Sequence, residues 1–342
     1  MSFFNKNLKD SYRIEGQHYI ISFNEPGPLT ASRVETIMNN RSIRSRSNLY
    51  VEIGERVTSI EDNAFNWKYK ILKFTISPGI RSIGGGAFAN CHGISKIEIP
   101  EGVVSLGCYA FASCPALSSV VIPSTLEKMS TDAFLECKNL SSVSIAEKNP
   151  YFNSIDNVVY TKDSSTLVLY PSGKRNMSFT IPSGVKSIGK NAMCHCSYLK
   201  KLTISKDTEQ IAPSAFNYSK FIESIEVEEG NKAYKSIDGS LYNADGSELI
   251  RYAVGGLYKS FTFHDELVSI RQEAFRDSRY LTSIEIPKTI TSIGSLAFMD
   301  CNELTIYCEA EEKPQGWSDS WNYSERPVIW GHKIARRKNL NN

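Results

Sequence analysis

An Ala-Phe pair returns every 23 residues, as Ala64-Phe65, Ala87-Phe88, Ala110-Phe111 and Ala133-Phe134. It continues as Ala192-Met193, Ala215-Phe216, Ala274-Phe275 and Ala297-Phe298, where two of the steps are 59, one repeat of 23 plus one of 36. A fixed period that accepts whole inserted repeats is the signature of a solenoid, in which each repeat buries its apolar face only against its neighbours.

The shared pattern is V/I-x-S-I-x-x-x-A-F-x-x-C-x-x-L-x-S-I-x-I-P, complete in residues 80–100, IRSIGGGAFANCHGISKIEIP. Its end alternates apolar and polar residues, the period of a strand with one buried face. Strands are expected at 72–76, 96–99, 119–122, 142–145, 201–204, 224–227 and 283–286. A strand this short cannot bury a face alone; stacking the next repeat on it gives a parallel sheet and a continuous core. Pro100, Pro123, Pro182 and Pro287 follow the strands and end the pairing, because proline has no amide proton to donate. The Gly-x-x-Ala-Phe stretch, as in 107–111, reads as a tight or helical turn on the opposite side. Its Ala lets repeats approach and its Phe fills the space between them.

This repeat resembles the BspA-like (Treponema-type) leucine-rich repeat over about residues 56–307. The resemblance implies an α/β repeat solenoid, a right-handed superhelix of 23-residue coils with a parallel concave sheet. It also implies a surface or secreted protein engaged in adhesion or host interaction.

The 342 residues are 41% hydrophobic and carry a net charge of +2. That balance gives no electrostatic footprint for nucleic acid, and no run of 18 apolar residues is present to span a membrane. Residues 1–16 lack the apolar core and small-residue cleavage site of a secretory signal. Either the chain stays in the cytoplasm or a leader is missing from it, so location is left unknown. Of eight cysteines, Cys91, Cys114, Cys137, Cys196 and Cys301 stand three residues after the anchor, where other repeats carry Lys68, Ser219 or Ser278. A small, weakly polar residue stacked along a core suits that position, so free buried thiols are expected rather than disulfides. Cys194-His195-Cys196 has no second ligand pair at zinc-site spacing.

In order, residues 1–56 read as an N-terminal cap and atypical first coil. It holds a hairpin about Glu15-Gly16, a helix over 30–40 with Thr30 as N-cap, and a strand over 49–53. Arg33, Arg41, Arg44 and Arg46 read as a solvated cap face, with contact to an anionic partner as the alternative. Residues 57–308 are the leucine-rich-repeat solenoid, eight 23-residue-type repeats with 36-residue insertions at 149–184 and 231–266. The two long segments match 82 residues apart, as Ser154-Ile155-Asp156 with Ser236-Ile237-Asp238. Each reads as a hairpin followed by a normal repeat strand, hence one hairpin-bearing enlarged coil. Residues 309–331, with Trp317, Trp321 and Trp330, read as a C-terminal cap, and 332–342 as a disordered basic tail.

No G-x-S-x-G elbow, H-E-x-x-H pair or Walker-type phosphate loop is present. The five histidines fall at unrelated repeat positions. Asp156 and Asp238 belong to separate coils, so turn hydrogen bonds are expected of them rather than paired catalysis. Gly84-Gly85-Gly86 is expected to let the chain bend. An enzyme, a cofactor and a metal are therefore not expected. What remains is surface. The outward sheet positions Lys73, Lys96, Glu98, Ser119, Ser142, Ser144, Lys201, Thr203, Ser224, Glu226 and Glu285 make a polar face of the kind solenoids use for recognition. It lacks the aromatic anchors that dominate interface energy. Tyr160, Tyr170, Tyr242 and Tyr252 of the two hairpin segments are the alternative contact surface, unless they pack each hairpin onto its coil. The expectation is a non-enzymatic protein-interaction or adhesion scaffold with a protein partner. The other reading is a carbohydrate- or matrix-binding module using the aromatic hairpins and the tryptophan-rich end, favoured if those rings are exposed.

Overall fold

A computed structural model describes residues 9–40, 43, 46 and 48–334. The chain forms two compact units, Met1–Arg175 with Ile188–Tyr198, and Asn176–Ser187 with Leu199–Asn342. Both are β-solenoid, short strands stacked coil on coil.

In the first unit the antiparallel hairpin Ser11–Glu15 and His18–Phe23 opens the stack. Leu49–Ile53 pairs in parallel with His18–Phe23, and Ile71–Ile76 with Leu49–Ile53. Lys96–Glu98, Ser119–Ile122 and Ser142–Ile145 continue as a parallel ladder. The inward residues Val51, Phe74, Ile97, Val120 and Val143 are all buried. A second ladder runs through the Ser-Ile step of each repeat, as in Val57–Ile60, Ser82–Ile83, Ser105–Leu106 and Lys128–Met129. Strands of two residues are too short for an alternation to mark them, so the sequence pattern did not announce this ladder. The helix Ala31–Met38 belongs to the first coil, with Thr30 Oγ1 accepting from the Arg33 amide at 3.2 Å.

The third side of each coil carries the anchor. In successive coils the amide of the anchor Phe donates to the Ala carbonyl one coil on: Phe65 to Ala87 at 2.7 Å, Phe88 to Ala110 at 2.7 Å, Phe111 to Ala133 at 2.8 Å. The rings stack, with centroids 5.3 Å apart for Phe65–Phe88, 5.0 Å for Phe88–Phe111 and 5.5 Å for Phe111–Phe134. Ala has no side chain beyond Cβ, so the backbones meet while the rings fill the interior. This stretch is turn rather than helix, and it turns sharply because residues flanking the anchor are left-handed. Asn63 and Trp67 have φ of 57° and 61°, Tyr109 and Ser113 of 57° and 53°. The Gly84-Gly85-Gly86 run takes part in the bend expected of it, Gly86 having φ of 60° at the position of Asn63 and Tyr109, and it serves a second end as well. A Cβ on Gly84 would meet Asp62 Oδ1 at 2.5 Å, and one on Gly86 would meet Asn63 Oδ1 at 2.5 Å. The glycines make room for the side chains of the coil before.

The enlarged coils continue the same column. Phe152–Ile155, Val158–Thr161 and Thr166–Leu169 form a three-stranded antiparallel meander, one strand more than the expected hairpin. Its first turn, Asp156-Asn157, has φ of 51° and 63°, and the matching Asp238-Gly239 has 48° and 72°. Two consecutive left-handed residues make the tight turn that suits strand twist, and Asp-Asn or Asp-Gly between apolar runs is its sequence signal. Each meander opens on an asparagine, buried at Asn149 and half-buried at Asn231. Asn149 Nδ2 donates to the Pro123 and Leu126 carbonyls, and its Oδ1 accepts from the Tyr151 and Phe152 amides. Directly after the meander, the Tyr170 amide donates to the Ala192 carbonyl at 2.6 Å, the bond that Phe makes elsewhere. Tyr170 is therefore the anchor of the enlarged coil, 36 residues after Phe134 and 23 before Met193.

The second unit repeats the plan. Ser178–Thr180, Lys201–Ile204 and Ser224–Val227 form one parallel ladder. Ser260–Phe261, Ser283–Ile286, Thr305–Cys308 and Val328–Ile329 form another. The meander Tyr234–Ile237, Ser240–Asn243 and Glu248–Arg251 lies between them in sequence. Tyr252 takes the anchor position, donating to the Ala274 carbonyl at 2.9 Å, and its ring lies 5.2 Å from Phe275. Phe275 stacks on Phe298 at 5.1 Å, and Trp321, 23 residues further, meets Phe298 edge-on at 5.8 Å. Trp317 is buried and donates from Nε1 to the Ile290 carbonyl at 3.1 Å.

Phe111 is fully buried between two stacked rings. Phe111→Ala is expected to cost about 3–5 kcal/mol of unfolding free energy. Urea unfolding followed by circular dichroism reads this directly; an unchanged midpoint would remove Phe111 from the core.

Candidate recognition surface

The parallel register sorts outward side chains into columns along the ladder, one side chain per coil at about 4.8 Å spacing. In the first unit Tyr50 is in register with Lys73, and Lys96 with Ser119 and then Ser142. The neighbouring column pairs Glu52 with Thr75, and Glu98 with Val121 and Ser144. Lys73, Lys96, Glu98 and Ser144 are exposed, and Ser119 and Ser142 half-buried. None of Lys73, Lys96 and Glu98 makes an ion pair among the described residues. The two ends of this face are closed. Arg13 grips Glu52 through two bonds of 2.9 Å, with Ser22 joining them. At the other end the first meander leans on the ladder, Ser154 Oγ donating to the Val143 carbonyl and Ser142 Oγ to Asn157 Oδ1.

Tyr50 was not among the expected contacts. It is half-buried and stacks on His18 with centroids 4.1 Å apart. The sequence signal was present, since Tyr50 lies 23 residues before Lys73, but the first coil's departure from the repeat hid it.

In the second unit Lys201, Thr203, Ser224 and Glu226 come together on one ladder, and their charges are spent on each other. Lys201 Nζ lies 3.6 Å from Glu226 Oε1, and Ser224 Oγ donates to that oxygen at 2.9 Å. Glu285 sits on a separate ladder, in register with Tyr307 and 3.7 Å from His332 Nε2. The expected single face is thus several ladders.

The tyrosine surface is not there. Tyr160, Tyr170, Tyr242 and Tyr252 are all buried, as are Trp317 and Trp321. Tyr170 and Tyr252 are anchors, and Tyr160 and Tyr242 face the core from the middle strand of each meander. Burial, more than any neighbouring charge, pushes the Tyr160 and Tyr252 phenols up to about 12, and raises Tyr170 and Tyr242 as well. The expected cap arginines are likewise committed: Arg33 pairs with Asp10 at 2.6 Å and Arg46 lies over the Tyr19 ring. Arg41 and Arg44 lie outside the described residues.

The cysteines tie each coil of the column to the one before. Cys91, Cys114, Cys137 and Cys301 each donate Sγ–H to the anchor carbonyl of the coil before, at 3.0–3.2 Å. All eight are free, and Cys108 alone is exposed. Burial pushes the Cys301 and Cys308 thiols up to about 12 and the Cys91 thiol well up also. No group of three metal-ligating side chains occurs among the described residues.

One charged cluster escaped the sequence reading. In the second unit Asn217, Arg251, Glu273, Arg276 and Asp277 are buried together. Glu273 accepts from Asn217 at 3.1 Å and from Arg276 at 2.6 Å, and Arg251 donates to its carbonyl at 2.8 Å. The residues 82 earlier in the first unit are Leu135, Leu169, Asn191, Cys194 and His195. There, Leu135, Leu169, Asn191 and Cys194 line a water-sized cavity of about 10 Å³. The cluster closes the gap that an enlarged coil leaves on its anchor side, by bridging coils 56 residues apart. Within it the Arg276 guanidinium and the Glu273 carboxylate are bonded and buried, while Lys220 Nζ lies 3.0 Å from Asp277 Oδ1, an arrangement that suits cohesion.

The family model of the BspA type leucine rich repeat region matches in six copies, over residues 58–174, 172–245 and 255–313. The chain belongs to the BspA-type leucine-rich repeat family. Two solved structures share the fold. A leucine-rich repeat protein from Eubacterium ventriosum is 18% identical, with 98% of this chain and 96% of that one covered and a TM-score of 0.63. The pneumococcal vaccine antigen PcpA is 14% identical, with 97% and 99% covered and a TM-score of 0.53. At such identities the likeness is one of fold. No curated protein matches the chain. No helix among the described residues is long and apolar enough to cross a membrane.

Two measurements check this placement of side chains in a BspA-type coil. Ellman's reagent is expected to find one reactive thiol, Cys108, in the native protein, and all eight after unfolding in guanidinium. Several thiols reacting natively would contradict the buried column. The tyrosines predict an alkaline limit. A phenol raised by folding contributes its stability in full below about pH 10, its value in the unfolded chain, and loses it as pH rises through about 12. Tm is expected to fall across that window, and less steeply in a Tyr160→Phe, Tyr252→Phe double variant. Equal slopes in the two proteins would show these phenols to be exposed.

Proposed function

We propose that the chain is a non-enzymatic scaffold that binds a protein through the outward face of its first-unit ladder. The observation that supports this reading is Tyr50 in register with Lys73 on one ladder, and the exposed Lys96, Glu98 and Val121 on the ladder that follows it in sequence. It combines an aromatic ring, an exposed aliphatic side chain and three charges with no ion pair of their own. Charges left uncommitted steer and orient a partner, while those already paired contribute little. The second-unit positions Lys201 and Glu226 answer each other and are the weaker part of the expected surface. Membership of a repeat family supports the non-enzymatic part of the reading. The hairpin tyrosines drop out as a contact surface, since a buried ring offers no area to a partner.

A pull-down with the intact chain distinguishes the two halves. Lys73→Glu, Lys96→Glu and Glu98→Lys together are expected to weaken a retained partner about tenfold or more. Lys201→Glu with Glu226→Lys, which preserves the ion pair, is expected to leave it within about twofold. A partner lost from the second variant and kept by the first would contradict the proposed face.

A further inference from the structure

The position two residues after the anchor runs Trp67, Asn90, Ser113 and Glu136 along four coils of the first unit, with φ of 61°, 59°, 53° and 61°. Small or polar residues suit this left-handed site, which is half-buried at Asn90 and Ser113 and disfavours side chains with a Cβ by about 1–2 kcal/mol. Trp67 departs from the series. Its side chain is 61% exposed, so it buries little area in return. The Trp67 amide bonds to the Ala89 carbonyl at 3.0 Å, which sets the indole beside the next coil's Asn90. His92 meets the indole edge-on, with centroids 6.3 Å apart and planes at 61°, so the contact does not cover the indole face.

Beside this ring lies a one-way chain of amides. Asn90 Nδ2 donates to Asn66 Oδ1 at 3.1 Å, and Asn66 Nδ2 to Asn63 Oδ1 at 3.1 Å. Such a chain ends in an unused donor, the Asn63 amide nitrogen, and an unused acceptor, the Asn90 amide oxygen. Asn63 Oδ1 is seated against Gly86, where a Cβ would come within 2.5 Å, so the glycine holds the chain's far end in place. Nearby charges are engaged: Lys68 pairs with Glu35 at 3.3 Å, and Asp62 accepts from the Gly85 amide at 2.6 Å.

We propose that Trp67, His92 and the Asn63, Asn66 and Asn90 amides form a binding site for a neutral saccharide. A pyranose has an apolar face of C–H bonds that stacks on an indole, and a rim of hydroxyls that both donate and accept. The Asn90 oxygen takes a hydroxyl proton and the Asn63 nitrogen gives one. An anionic glycan finds no uncommitted cation among these residues. The site is separate from the sheet face, and it shares no residue with the hairpin tyrosines or the tryptophan-rich end, whose rings fill the core.

Titration calorimetry of the full chain with cellohexaose, chitohexaose and maltohexaose tests this, with a heparin hexasaccharide as the anionic comparator. At least one neutral hexaose is expected to bind, with the same affinity at about 0.1 and about 0.5 M salt. Trp67→Ala is expected to weaken it about tenfold or more, with Tm unchanged because the ring is exposed. Trp67→Phe retains most of the affinity, and Asn90→Ala loses about fivefold. Binding that survives Trp67→Ala, no binding of any neutral hexaose, or binding of heparin alone would each overturn the site. Loss of the sheet-face partner does not bear on this result, since the variants share no residue.

Discussion

The fold depends on one contact that recurs along the stack, an anchor ring whose backbone amide reaches the alanine carbonyl of the next coil wherever that coil supplies one. The hydrogen bond sets the spacing and the ring fills what the spacing encloses. A ring of this size is worth a few kcal/mol when buried against similar rings, whereas a coil of two short strands has little else to hold it. The thiol bonded back to the previous anchor carbonyl adds a tie in the other direction. Because each tie is to a neighbour only, the chain can lengthen a coil without losing the column, provided that the extra residues leave and return on one side.

The 36-residue coils meet that condition. A meander leaves after the long strand, turns tightly at Asp156-Asn157 or Asp238-Gly239, and returns with a tyrosine in the anchor position. Two consequences follow in opposite directions. On the strand side the meander leans on the outward ladder, Ser154 bonding to the Val143 carbonyl and Ser236 to the Ile225 carbonyl. On the anchor side it leaves a gap, filled in the first unit by apolar groups with a small cavity and in the second by Glu273, Arg276 and Asn217. A buried ion network of this kind is costly to assemble and costly to break, since removing one partner strands another.

Much of this was legible in the sequence, and the exceptions have physical reasons. The 23-residue period announced the solenoid, the long strands and the thiol column because those positions demand one residue type. The Ser-Ile ladder was missed because two residues cannot show a period. Tyr170 and Tyr252 stand outside the Ala-Phe pattern, which leaves contact surface and packing both open for them, because an enlarged coil supplies the ring without the alanine before it. Counting 36 from Phe134 and Phe216 would have found both. The surfaces were less legible. Exposure alternates along a strand and can be counted, but whether Lys201 faces a partner or Glu226 depends on the coil beside it. The Trp67 site draws on four coil positions and two coils, a combination that no linear motif contains.

The central claim is that each enlarged coil is anchored by its tyrosine on the same column as its neighbours. The direct measurement is the unfolding free energy of Tyr170→Ala, by urea titration beside the wild-type chain. A loss of about 3–5 kcal/mol, the scale of a buried ring removed from a core, is the predicted result. A loss below about 0.5 kcal/mol would show that the column breaks at the meander and that the long coil is an appendage.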